Sequence, residues 1–266
     1  MHSLLTLRRA LVGVALAGTA IAVVPSAAHA ASSCTFDAAA KTVTVTANGG
    51  DQPLVLRNAS SITFTDGTGV ARSCFSPTTG QLATAFSTTK IRVKATVPAA
   101  NQHIVIDESN NGRFITAAGK RMSFAILTGS GGDHLSVRMG TNLDEVGVRS
   151  TSALGGGPEL DLNLDGTPDV GMTAAGLVTV DGGAGSDFLD GAGTTTFQLE
   201  LLGGVSGNDT LRGGGRTDFL DGGAGMDTIR SGGDNRQDFV RGGADADRAF
   251  TDALDSVTDV EDQRIQ

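Results

Sequence analysis

Asp209, Asp218 and Asp227 stand nine residues apart, each preceded by a Gly pair and followed two positions later by an apolar side chain, Leu211, Leu220 and Ile229 respectively. The unit is cleanest as GGGRTDFLD (213–221), which runs directly into GGAGMDTIR (222–230). Glycines turn the chain and the aliphatic residue anchors a short strand. One unit cannot bury its apolar residue alone, so a fixed period of this kind stacks units into a solenoid. An aspartate in every turn makes it a solenoid that holds cations.

The charge distribution agrees. Residues 181–266 hold 15 Asp and 2 Glu against 7 Arg, whereas residues 31–180 carry 12 acids and 11 bases. So acidic a segment repels nucleic acid and anionic lipid, and it needs a multivalent counter-ion to stay compact.

In Gly222–Arg230, glycines permit positive φ, so carbonyl oxygens can point into the turn beside the carboxylate of Asp227. Carbonyls plus a carboxylate form an all-oxygen site, which suits calcium, with six to eight oxygens at about 2.3 to 2.6 Å, better than magnesium with its strict octahedron. Asp187 heads an equally clean copy starting at Gly182 and Gly183, set apart by the strand-like stretch 194–202.

These residues resemble the hemolysin-type or RTX nonapeptide repeat, Gly-Gly-x-Gly-x-Asp-x-aliphatic-x, over roughly residues 181–250. The resemblance implies an all-β fold, an N-terminal β region followed by a parallel β-roll in which two nonapeptides make one turn. Calcium then sits between turns stacked on one edge, so that residues eighteen apart, such as Asp209 and Asp227, share a row. The implied metal residues are Asp187, Asp209, Asp218, Asp227, Asp238 and Asp247, with Gly182, Gly185, Gly213, Gly222 and Gly225. Gly203–Asp209 and Gly232–Asp238 carry one residue more than the family spacing. Arg216, Arg236 and Asp245 fall at or near the second-turn glycine, and an arginine there puts a guanidinium where an ion would sit, which weakens the Asp218 and Asp238 units as sites. Ala249, two residues after Asp247, marks a tapering core, and residues 255–261 are expected to cap it.

Two weaker features precede the repeats. Gly129–Leu135 and Gly140–Val146 are eroded copies of the unit or ordinary Gly-rich turns before strands. Asp161, Asn163, Asp165, Gly166 and Asp169 resemble the front half of an EF-hand loop, but the twelfth position is Met172 and no helices flank it; the alternatives are a secondary calcium loop and an Asx-stabilised turn.

Residues 42–46, 54–56, 61–65, 90–94, 103–106 and 123–127 read as short strands, and nearly all alternate polar and apolar, the period of half-buried strands. Asn48–Gly50, Asp66–Gly67 and Asn110–Gly112 are turn signals between them. Cys34 and Cys74 are the only cysteines and are expected to pair. Arg8 and Arg9, the apolar run 10–24 and Ala28-His29-Ala30 read as a signal peptide over residues 1–30. The expected organisation is therefore signal peptide 1–30, disulfide-bearing β region 31–127, eroded repeats and Asp-rich loop 128–180, and calcium-binding roll 181–266. No other segment is long and apolar enough to span a bilayer.

Beyond the signal segment the histidines are His103 and His134, with His134 read as a solvated turn residue, and there is no His-Glu-x-x-His, Gly-x-Ser-x-Gly or Gly-Lys-Ser/Thr motif. The sequence thus reads as a secreted, non-enzymatic calcium-binding protein with a structural or interaction role. Calcium ions are its expected partner, and an extracellular protein or surface polymer is the candidate second one. A calcium-dependent adhesin or lectin is the rival reading, although no Trp or Tyr is present to stack on sugars. An accessory module of a secreted hydrolase is the second alternative.

Overall fold

The structure is a computed structural model of the chain and describes residues 32–48, 53–66, 69–95, 101–110, 112–129, 132–151 and 157–266. The expected signal segment lies outside the described residues, as do Gly49, Gly50, Gly67, Asn111, Ser130 and Gly131 of the expected turns and repeats.

All described secondary structure is β, in two sheets. The first sheet lays side by side β1 (Ser33–Asp37), β2 (Thr42–Ala47), β6 (Lys90–Ala95), β8 (Ser123–Leu127), β12 (Val170–Met172), β11 (Pro158–Asp161), β10 (Glu145–Ser150), β14 (Phe188–Gly193), β16 (Thr210–Arg212), β18 (Thr228–Arg230), β20 (Arg248–Thr251) and β22 (Asp262–Ile265). The second runs β21 (Ser256–Thr258), β19 (Phe239–Ala244), β17 (Phe219–Ala224), β15 (Gln198–Leu202), β13 (Leu177–Asp181), β9 (His134–Arg138), β7 (His103–Asp107), β3 (Leu54–Asn58), β4 (Ile62–Thr65) and β5 (Ala71–Ser73). Apart from hairpins at β1–β2, β3–β4–β5 and β10–β11–β12, the chain alternates between the sheets and adds each strand parallel to the previous one in that sheet. Both sheets run on across positions 127 and 181.

Alternation explains the core. Val43 and Val45, Ile91 and Val93, Ile104 and Ile106, and Leu135 and Val137 project two by two from their strands into the space between the sheets. From β16 to β20 each strand contributes one such residue: Leu211, Leu220, Ile229, Val240 and finally Ala249. A buried aliphatic side chain stabilises by roughly 1.5 to 3 kcal/mol. The C-terminal coils therefore hold about half the apolar anchorage per strand of the N-terminal ones.

The eroded copies are corners of this same stack. Leu135 pairs between Ile104 and Val178, and Val146 pairs with Leu189. His134, expected in a solvated turn, is instead the first residue of β9; it is half-buried and stacked on His103 with ring centroids 4.1 Å apart. The strand starts one residue before the aliphatic position that marks it in sequence. Asp187 is likewise not set apart, because residues 198–202 form β15, the next rung of the second sheet.

Cys34 in β1 is bonded to Cys74 just beyond β5, with Cα atoms 5.3 Å apart. Those strands are the N-terminal edges of the two sheets, so the bond staples the sheets together where the stack begins. Closing a loop of that length stabilises by about 3 to 4 kcal/mol in the chain-entropy account.

Candidate metal centre

The chain turns between sheets at two corners. At the corner leading from the second sheet to the first, Asp144, Asp187, Asp209, Asp227 and Asp247 stack in one column, all at most 2 % exposed. Each carboxylate after the first accepts, through Oδ1, the backbone N–H of the aspartate before it: Asp144 N to Asp187 at 2.6 Å, Asp187 N to Asp209 at 2.7 Å, Asp209 N to Asp227 at 2.7 Å and Asp227 N to Asp247 at 2.8 Å. Glu261 closes the column by accepting from Asp247 N at 2.7 Å.

The other oxygen of every carboxylate is left over. Oδ2 of Asp144, Asp187, Asp209, Asp227 and Asp247 is buried without a hydrogen-bond partner, an arrangement that costs desolvation free energy unless a cation or proton meets it. Burial pushes the Asp187 carboxyl up to about 7 and that of Asp227 up to about 6, and it raises those of Asp209, Asp247 and Asp144.

A cradle faces the orphan oxygens of Asp187, Asp209, Asp227 and Asp247 because the first glycine of the unit has no side chain. A Cβ on Gly182 would stand 2.5 Å from Asp187 Oδ2 and 2.8 Å from the Gly203 carbonyl oxygen. On Gly203 it would meet Asp209 Oδ2 and Gly222 O, on Gly222 Asp227 Oδ2 and Gly242 O, and on Gly242 Asp247 Oδ2 and Asp259 O. The next turn position takes a left-handed backbone, with φ of 131° at Gly185, 134° at Gly207 and 129° at Gly225, while Asp245 accepts φ 81° in the last unit. Val205, the residue by which the Gly203 unit exceeds the family spacing, is turned outward and 77 % exposed, so the longer corner keeps its aspartate in line.

Residues 166–194 and 203–237 match the RTX calcium-binding nonapeptide repeat, in four copies. This chain carries RTX repeats. No curated protein and no solved structure matches it. The donor set fits calcium, since a carboxylate oxygen and a carbonyl oxygen from the next rung flank each cradle. Among the described residues no three His, Cys, Asp or Glu side chains converge; beside each cradle stand one carboxylate oxygen and one backbone carbonyl oxygen.

The opposite corner is less uniform. Asp218 Oδ1 accepts from Leu199 N at 2.9 Å and its Oδ2 from Gly214 N at 2.7 Å, which leaves neither oxygen free. A Cβ on Gly213 would meet Ser231 O at 2.6 Å and Asp218 Oδ2 at 3.2 Å, an oxygen that Gly214 N already occupies. Asp238 keeps a buried, unpartnered Oδ2, and burial pushes its carboxyl up to about 8, with Asp218, Asp255 and Asp234 adding to the rise. Arg216 and Arg236 are exposed, and Arg236 pairs with Asp234 at 3.6 Å.

The Asp-rich loop joins the antiparallel strands β11 and β12. Asp161 accepts from Gly166 N at 2.7 Å and Asp165 N at 3.2 Å, Asn163 donates to Asp165, and Asp169 accepts from Leu162 N at 3.0 Å. The loop meets the hydrogen-bonding needs of Asp161 by itself, the behaviour of an Asx turn.

Sequence reading missed the ends of the column. Asp144 lies in an eroded copy, and only its spacing after Gly140 and before Val146 could have marked it. Glu261 is a glutamate, outside the Asp pattern altogether. It also missed the polar chain on the outer face of the second sheet. There Ser136 Oγ bridges His103 Nε2 at 2.9 Å and His134 Nε2 at 3.1 Å, and Thr179 links His134 to Glu200. Burial, followed by the neighbouring His134, lowers His103 to about 4. Ser136 is 5 % exposed, a hydrogen-bond bridge rather than an accessible nucleophile.

Proposed function

We propose that this is a secreted calcium-binding protein with a structural or interaction role. In this reading a metal-independent N-terminal half, residues 31–127 continued by 128–180, supports a C-terminal roll, residues 181–266, that calcium orders. The column of buried, unpartnered Oδ2 atoms carries the reading. Asp187 with Gly203 O, Asp209 with Gly222 O, Asp227 with Gly242 O and Asp247 with Asp259 O would hold the ions, and Asp238 would contribute at the opposite corner. Calcium supplies divalent positive charge to oxygens that nothing else in the roll neutralises.

The N-terminal end of the column supports the division. Arg113 donates to Asp144, and Arg121 pairs with Glu108 at 2.6 Å with both side chains buried. Where the repeats stop, guanidinium groups supply the positive charge, and the core there is two residues deep per strand. The disulfide and the expected signal segment support export. Extracellular calcium sites have dissociation constants of about 10⁻⁴ to 10⁻³ M, which would leave the roll expanded inside a cell.

Far-UV circular dichroism of residues 31–266 during a calcium titration, with magnesium as control, tests this. A calcium-specific cooperative gain of β signal supports it. A spectrum indifferent to calcium and to chelator overturns it.

A further inference from the structure

We infer that the outer face of the first sheet over β2, β6 and β8 binds an acidic polysaccharide laid along β6. Lys90, Arg92 and Lys94 alternate outward along that strand while Ile91 and Val93 point into the core. Alternate residues of a strand stand about 6.6 Å apart, so the three cations form a line of roughly 13 Å. In register on one side lie Thr42, Thr44 and Thr46, and on the other Ser123, Ala125 and Leu127. The result is a line of cations bordered by three threonine hydroxyls on one side and by one serine and two apolar residues on the other.

The charges on this line are unspent. Ten other arginines among the described residues pair with a carboxylate. Among the described residues no ion pair involves Lys90, Arg92 or Lys94, and Arg92 Nε is buried without a hydrogen-bond partner. The carboxylate of Asp37, beyond Thr42, accepts from the N–H groups of Ala39 and Ala40 instead. In a chain of net charge −9, three free cations in a row with no acid between them complement an external anion. The guanidinium fork matches a carboxylate, and regular spacing favours a polymer that engages all three at once. The outward residues of these strands include no aromatic side chain on which a base could stack, which favours a sugar polymer over single-stranded nucleic acid.

The probe is polygalacturonate, with neutral dextran and single-stranded DNA in parallel, measured against the full chain in EDTA at about 0.1 M salt. The chelator prevents calcium from bridging polymer to the repeat corners, so the result is independent of the calcium reading. Polygalacturonate is expected to bind, dextran not, and DNA more weakly than polygalacturonate. The triple variant K90Q/R92Q/K94Q, which leaves the core residues Ile91 and Val93 in place, should lose at least tenfold in affinity while keeping its calcium response by circular dichroism. Absence of polygalacturonate binding, full retention of affinity in the triple variant, or DNA binding as tight as polygalacturonate would each overturn the proposal.

Discussion

The backbone N–H of Asp209 donates to Asp227 Oδ1 at 2.7 Å, one rung further along the same corner. Each ladder carboxylate thus has two duties. One oxygen ties down the preceding turn and the other faces a glycine cradle. The two can be separated by mutation, because an amide keeps the acceptor and removes the charge.

Asp227→Asn should therefore move stability in opposite directions with and without metal. In EDTA the variant is expected to be more stable than the parent, by on the order of 1 to 2 kcal/mol, because a buried uncompensated charge is gone. In saturating calcium it should be less stable, having lost a site that contributes about 1.4 kcal/mol at ten times its dissociation constant. Thermal melts in both conditions check this; a variant destabilised equally in both would show that Asp227 acts only as a hydrogen-bond acceptor.

Gly222→Ala would place a methyl group against Asp227 Oδ2 and Gly242 O. We expect a cost of roughly 1 to 3 kcal/mol from overpacking together with loss of one calcium equivalent by isothermal titration. Gly80→Ala is the control. Its φ of 70° is unsuited to alanine but its surroundings are open, so backbone strain alone should cost roughly 1 kcal/mol and leave calcium stoichiometry intact.

Acidity should substitute for calcium. The folded-state carboxyls of Asp238, Asp187 and Asp227 lie at about 8, 7 and 6 against an ordinary 3.8. A group raised on folding contributes stability that is complete below its unfolded value and is lost as pH rises through its folded value. The metal-free roll should accordingly be more stable at pH 5 than at pH 8. Calcium must displace these protons, so its apparent affinity should increase over the same interval. Melts in EDTA and calcium titrations at the two pH values test both halves; a metal-free roll more stable at pH 8 would refute them.

Arg121→Met removes one partner of a buried pair and leaves Glu108 uncompensated. Loss of 3 to 5 kcal/mol is typical of such a break. Because this pair lies outside the repeats, calcium should restore none of it, whereas calcium should restore a mild C-terminal lesion. Denaturant unfolding with and without calcium distinguishes the two.

How much of this was legible in the sequence depends on loop length. Asp209, Asp218 and Asp227 announce the roll because tight corners keep every strand at a fixed chain distance, and successive units fall at alternate corners. Val43 and Ile91 occupy adjacent rungs too, but a whole excursion through the second sheet, including the β3–β4–β5 hairpin, separates them, so no period betrays that they belong to the same stack. Asp218 shows the opposite limit. Its spacing is indistinguishable from that of its neighbours, yet the N–H of Gly214 takes the oxygen that an ion would use, a contact that depends on how the corner closes. Arg113 was invisible as a cation substitute because Asp144 lies one rung further on and comes close only through stacking, and Arg121 because its meeting with Glu108 depends on how the β7–β8 connection folds.

Calcium is expected to order the C-terminal roll and to leave the N-terminal half as it was. Amide hydrogen exchange of the disulfide-intact chain, resolved along the sequence and recorded in calcium, magnesium and EDTA, measures this directly. The account predicts a calcium-specific gain of protection confined to residues 181–266, greatest at the Asp187, Asp209, Asp227 and Asp247 corners, with β2, β6, β7 and β8 protected in every condition. Equal protection of the C-terminal half in EDTA and in calcium, or loss of protection along the whole chain on chelation, would contradict it.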